Sequence, residues 1–324
     1  IKVGDAVHTV EVPQEPIKSF DSAGAMSFMI GQLTALSARI YEARYPDIFY
    51  HEIVPVNTEY PEWSTEVSYR SFDGTTMAKF IGSRADDLPT VALSASITTI
   101  QVGLGGLSAE WSLDELMKSQ ALQYPVDSKK LEKAYRGYQE HAQRVALFGD
   151  DTLGMKGLLN YPNITTSTVE ETIFDNMTGD SYQQVQDALN APIKSVWIDS
   201  KGVFLPDTLL IPSEIYGKIS AVRMANGTDT SVLEWFKRNN FYTSRTGRDL
   251  DIRPVFQLDD LGEAGKGRIM AYVNDIDCLE MPQPMPFRTQ PPQHHNLMVK
   301  VPSMYKIGGV DFKQPRSAAY VDLV

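Results

Sequence analysis

Residues 112–149, SLDELMKSQALQYPVDSKKLEKAYRGYQEHAQRVALFG, are the longest strongly helical stretch of the chain, and the rest is organised around them. Ser112 and Glu115 stand in the spacing of a capping box, which predicts a helix start there. Pro125 removes an amide donor and disfavours the α region for the residue before it, so a break is expected near Tyr124, with Asp127 capping the longer second part. From there Leu131, Ala134, Tyr135, Tyr138, Ala142, Val145 and Ala146 recur at three- and four-residue steps and predict one apolar stripe. Lys129, Lys130, Glu132, Lys133, Arg136, Glu140 and Arg144 fall mostly elsewhere. This is a one-faced helix about 28 Å long that needs a core to lie on. Gly149 supplies its stop.

Working outward, the totals narrow the function classes. A chain of 324 residues with 42% hydrophobic content can bury a core as two units or one elaborate domain. Its formal charge of -11 argues against a broad phosphate-binding surface, because nucleic-acid affinity rests on cations meeting phosphates. Cys278 is the single cysteine, so no disulfide within the chain holds the fold. No apolar run approaches the roughly 20 residues that cross a bilayer, and no membrane partner is expected.

Before the helix, Ile1 to Phe20 reads as an extended arm with Val3, Val7, Val10 and Val12, followed by a helix from Ser22 that Pro46 ends. His51 to Asn57 is a short strand candidate. In TEVSYRSFDGTTMAKFIG, alternating residues flank Asp73-Gly74, which predicts a β-hairpin with its tight turn at that dipeptide. The return strand carries Val91, Leu93, Ala95 and Ile97 on alternate positions, and the hairpin as a whole is too polar to hold a core of its own.

After the helix, the pattern predicts a short helix over 181–191, and a strand from Thr208 to Ile211 leading through Pro212 and Ser213 into another helix. A helix over Thr230 to Asn239 and strands over Asp251 to Leu258 and Arg268 to Val273 follow. PQPMPFRTQPPQ, residues 282–293, reads as extended loop, and the chain closes on strands around Gly308-Gly309. Short helices and non-alternating strand order point to the α+β class.

Motifs for nucleophilic, phosphate-cradling or zinc chemistry are missing from the sequence. Gly103-x-Gly105-Gly106 lacks the spacing of a dinucleotide fingerprint and reads as a loop. His294-His295 reads as a solvated loop, since neighbours on an extended chain point to opposite sides. Asp150-Asp151, Asp259-Asp260 and Asp275-x-Asp277 read as acidic turns. A hydrolase built on one such pair is the disfavoured reading from another class, for want of a nucleophile, base and orienter together.

Three stretches carry a resemblance that covers nearly the whole chain: RVALFGDDTLGMKGLLN, ending in Leu158, Leu159 and Asn160; PDTLLIPSEIYGKI, Pro206 to Ile219; and the close, with Gly308-Gly309-Val310, Pro315, Ala318, Ala319 and Tyr320. In this order they resemble the major capsid proteins of the Hong Kong 97 fold, found in tailed bacteriophages and in encapsulin nanocompartments. The resemblance implies an N-terminal arm and first helix over 1–62 and an extended hairpin loop (E-loop) over 63–95. It further implies a peripheral domain with the spine helix over 96–170 and 262–324, and an axial domain over 171–261. It implies no enzyme, cofactor or metal, but a virion protein assembled in the host cytoplasm as pentamers and hexamers of an icosahedral shell. Double-stranded DNA would be enclosed without sequence-specific binding, and portal, scaffold and maturation protease would be further partners. Trimming by such a protease fits a sequence that begins at Ile1. The alternative within the fold is an encapsulin-like cellular cage. Tyr69, Arg70, Phe72, Asp73, Met77, Lys79 and Phe80 of the hairpin are the expected contacts to neighbouring copies. Some relatives cross-link through a lysine in this loop, where Lys79 lies, but no partner asparagine is assigned.

Overall fold

In the computed structural model, the described residues are 47–75, 92–112, 114–115, 126–175, 177, 181–224 and 229–324. The arm, the first helix and the segment 76–91 lie outside them.

The spine helix α2 spans Val126–Phe148 and starts directly after Pro125. Asp127 therefore sits within its first turn. Ser112 ends a strand and also stands at the predicted helix start: Asp114 and Glu115 are helical, and the Ser112 hydroxyl accepts the amide of Asp114 at 3.3 Å as a cap. The predicted stripe is buried over its second half only, at Tyr138, Ala142, Val145 and Ala146, while Leu131 and Tyr135 are exposed. At the helix end Gly149 takes φ +76°, a left-handed conformation that L side chains rarely adopt. The loop then folds back so that the amides of Leu158 and Leu159 donate to the carbonyls of Ala146 and Leu147. Asn160 Nδ2 donates to Phe148 O at 2.8 Å. The last-turn carbonyls, orphaned by the helix end, thus find partners in the glycine-punctuated segment.

The longest strand, β3, runs unbroken over Ala92–Ser112. Its first half, to Gln101, pairs antiparallel with β2 (Glu66–Thr75), and its second half, from Val102, pairs antiparallel with β13 (Met298–Gly308). The turn predicted at Asp73-Gly74 is not there: both residues lie inside β2, opposite Ser94 and Leu93. An Asp-Gly pair tolerates a tight turn but does not impose one, and a continuous ladder to β3 overrides it. The glycine run is likewise strand and not loop. A Cβ on Gly105 would stand 2.3 Å from the Tyr305 ring, so glycine lets that ring lie flat across β3. Tyr305 then meets Tyr138 of the spine at 4.7 Å between ring centroids, edge to face.

A five-stranded mixed sheet separates two cores. Its order is β6 (Thr165–Val169), β15 (Ala318–Leu323), β9 (Arg268–Tyr272), β7 (Thr208–Pro212) and β8 (Asp251–Val255). Alternation decides which side each residue serves. Leu210, Met270, Tyr272, Ala318 and Tyr320 join the spine core, whereas Leu209, Ile211, Ile269, Ala271, Val321 and Leu323 join the other. That second core is closed by α3 (Ser181–Asp199), α4 (Ser213–Ala221), α5 (Val232–Arg238) and α6 (Phe241–Thr246). The α3 helix is longer than predicted because it continues through Pro192, and Ile193 and Val196 beyond the proline are buried. Their burial offsets the backbone bond that a proline removes.

Four smaller expectations also change. Tyr50–Ile53 is one helical turn with Tyr50 and Ile53 buried, and only Val56–Asn57 (β1) is strand, parallel to β10 (Leu279–Pro282). The proline-rich stretch pairs after all: β11 (Met285–Thr289) is an edge strand on β13, the place in a sheet where prolines are tolerated. His294 and His295 belong to an exposed strand, β12 (Gln293–His295), and strand β8 gives way at Phe256 to a 3-10 turn.

Candidate assembly interface

The hairpin of β2 and β3 changes character along its length. At its base Val67 and Ile100 face each other and are buried. Further out Leu93 and Ile97 are 65% and 64% exposed, and the cross-strand pairs are hydroxyls, Ser71 with Ser96 at 2.6 Å and Ser68 with Thr99 at 3.3 Å. The shaft thus carries apolar side chains that its own body leaves uncovered. Hydroxyl pairs hold its register without a private core.

The base is fixed by two buried carboxylates. Asp311, on β14 (Asp311–Phe312), accepts the hydroxyls of Tyr69 at 2.5 Å and of Tyr161 at 2.7 Å, one on each oxygen. Glu280 on β10 stands opposite Asp311 in the ladder and is fully buried. It accepts Tyr60 Oη at 2.6 Å and Asn57 Nδ2 at 3.0 Å, and Lys313 Nζ lies 3.0 Å away. Burial, and then the bond to a carboxylate, push the phenols of Tyr60, Tyr69 and Tyr161 well above their usual range, so each remains a donor. Sequence reasoning missed Glu280, Asp311, Tyr60 and Tyr161. The available signal was a lone acid inside a short apolar run, as in Leu279-Glu280-Met281 and Val310-Asp311-Phe312.

Of the seven expected contact residues, Tyr69 is thus engaged within its own chain, and Arg70 is exposed on the shaft. The backbone of Phe72 and Asp73 pairs with Ala95 and Ser94. Their side chains, and all of Met77, Lys79 and Phe80, lie outside the described residues.

Two of the three aspartate pairs build turns with their side chains. Asp150 accepts the amide and hydroxyl of Thr152, which hold its carboxyl below the ordinary range, and Asp275 accepts the amide of Asp277 at 3.0 Å. Among the described residues no three His, Cys, Asp or Glu side chains gather as a metal site.

A spine helix, a sheet between two cores and a hairpin define the fold, and solved structures share it. The capsid of Myoviridae phage XM1 matches at a TM-score of 0.75 with 19% identity, over 91% of this chain and 98% of that one. The capsid of the empty GTA particle matches at 0.59 with 12% identity, over 94% and 100%. The virus-like particle from Pyrococcus furiosus matches at 0.51 with 14% identity, over 84% and 91%. The fold is the Hong Kong 97 capsid fold. No similar sequence was found among curated proteins. The family model described as major capsid protein matches residues 76–324, and the chain belongs to that family. It is a structural shell protein, a component of the virion capsid.

Proposed function

We propose that copies of this chain assemble as pentamers and hexamers into an icosahedral shell enclosing double-stranded viral DNA, and that the chain performs no catalysis. The observation that carries this reading is the hairpin shaft, whose Leu93 and Ile97 find no cover on their own body. Contacts from a neighbouring copy would desolvate them and recur around a closed shell. Arg70 is the described contact on this reading, with Phe72, Asp73, Met77, Lys79 and Phe80 toward the tip. The spine core and its sheets, 96–170 and 262–324, would form the peripheral domain, and 171–261, which supplies the four helices of the second core, the axial domain. An acidic chain suits containment of DNA by closed geometry without base readout. Portal, scaffold and maturation protease are the further partners this reading brings, and the host cytoplasm is its assembly site.

Negative-stain microscopy of the purified protein tests it, together with a variant in which residues 67–81 are replaced by a Gly-Ser turn. The expected result is large angular shells for the natural chain, and folded subunits with near-native circular dichroism but no shells for the variant. Small particles with internal density would indicate the cellular cage, and shells from the variant would remove the hairpin from the assembly mechanism.

A further inference from the structure

We propose that Asp311 is a positioning residue that sets the angle of the hairpin before any neighbour arrives, with Glu280 fixing the segment that leads into it. The inference rests on where the donors come from. Tyr69 belongs to the hairpin strand β2, and Asn57 and Tyr60 to the chain entering it, whereas Asp311, Glu280 and Lys313 all belong to the C-terminal part of the body. Two adjacent buried acids thus hold the hairpin's entry and its strand to one short β-ladder. Lys306 Nζ adds a bond to Ser64 O at 3.3 Å, and Arg288 pairs with Glu62 at 2.6 Å on the same approach.

Like charges directly opposite each other in a ladder are unfavourable, and burial sharpens the effect. An apolar pair would cost nothing of the kind at Glu280 and Asp311. What the acids supply is direction: each oxygen of Asp311 fixes one phenol at hydrogen-bond distance, which an apolar contact cannot do. Without Tyr69's bond, β2 would keep its backbone ladder with β3 but lose this tie to the body, and the exposed shaft would be freer to swing about its base. Tyr161 provides the internal control. It bonds the same carboxylate from the segment after the spine and touches no part of the hairpin through that bond.

The test compares Tyr69→Phe, Tyr161→Phe and Asp311→Asn in the full chain. Hydrogen exchange is followed at the β2 amides of unassembled subunits, and shell yield is measured by sedimentation. Tyr69→Phe is expected to speed exchange in β2 about tenfold, the scale of one lost hydrogen bond to a charged group, and to lower shell yield. Tyr161→Phe is expected to lower the melting temperature while leaving β2 exchange within about twofold of the natural chain. Asp311→Asn leaves one carbonyl oxygen as an acceptor for Tyr69 and is expected to keep β2 exchange close to that of the natural chain. Unchanged β2 exchange in Tyr69→Phe, or an equal rise in Tyr161→Phe, overturns the proposal. The assembly arm rests on the shell reading, but the exchange arm does not: faster β2 exchange in Tyr69→Phe with no shells from the natural chain keeps the anchor and removes the shell.

Discussion

His141 shows how one side chain in this fold responds to pH. It lies one turn beyond Tyr138 on the spine, with Nδ1 2.9 Å from the Tyr305 hydroxyl. Burial, and then the nearby Arg144 cation, hold its pKa below the ordinary 6.5. The unfolded chain therefore binds a proton more readily than the folded one. Stability from this residue is full above about pH 6.5 and is lost as pH falls through the folded value. Thermal melting is expected to drop between pH 7 and 5, and His141→Gln should flatten that slope. An unaltered slope in the variant would assign the effect elsewhere. Asp150, whose carboxyl is held low by Thr152, acts in a separate window: its contribution is present above the ordinary carboxylate value and disappears in stronger acid. Residue-scale reading of the sequence failed where the decisive partner is distant in the chain. Nothing local to Gly105 announces Tyr305, and nothing near Asp73-Gly74 announces that the ladder with Ser94 and Leu93 continues past it.

Among elements, the spine was the most legible, and its limits are instructive. The three- and four-residue spacing located α2 and the face that meets the core, and Pro125 marked its start. Periodicity does not say how far along a helix the core extends: Leu131 and Tyr135 continue the apolar spacing beyond the buried face, which ends at Tyr138. Val145 is 1% exposed, well inside the covered half. Val145→Asp should destabilise the protein by about 4 kcal/mol or more in chemical denaturation, because a carboxyl there has neither water nor a partner. Soluble protein with an unchanged transition would refute the packing. Pro192 stands inside a helix, unlike Pro125. Both remove an amide, but the sheet-facing Ile193 and Val196 hold α3 together across the second one.

At the scale of the molecule, the spine core and the second core share one sheet, and Arg268 links that sheet to the loop after the spine. Its guanidinium makes a bidentate pair with Asp322 at 2.6 and 3.0 Å, donates to Leu159 O at 2.9 Å, and lies 4.7 Å from the Tyr320 ring centroid. Arg268→Met leaves the Asp322 carboxylate buried without this partner and should cost about 3–5 kcal/mol, whereas Arg268→Met with Asp322→Leu should recover much of that loss. Urea unfolding of the natural chain and these two variants checks this. A double variant no better than the single would mean that the arginine acts through Leu159 and Tyr320. The sequence disclosed the α+β class and the order of parts, but not this junction, which requires residues 159, 268 and 322 to be near in space.

The continuity of β3 has a mechanical consequence. Twenty-one residues of extended chain span about 70 Å, and the strand passes from the hairpin into the body sheet without a loop between them. A tug on the outer end along the strand axis strains the whole β3–β13 ladder in shear, so its hydrogen bonds resist together. A sideways tug peels β2 and β3 from their neighbours one bond at a time. The subunit is thus stiff to tension along one direction and compliant across it, and a lattice of such subunits would inherit that anisotropy when pressed from within.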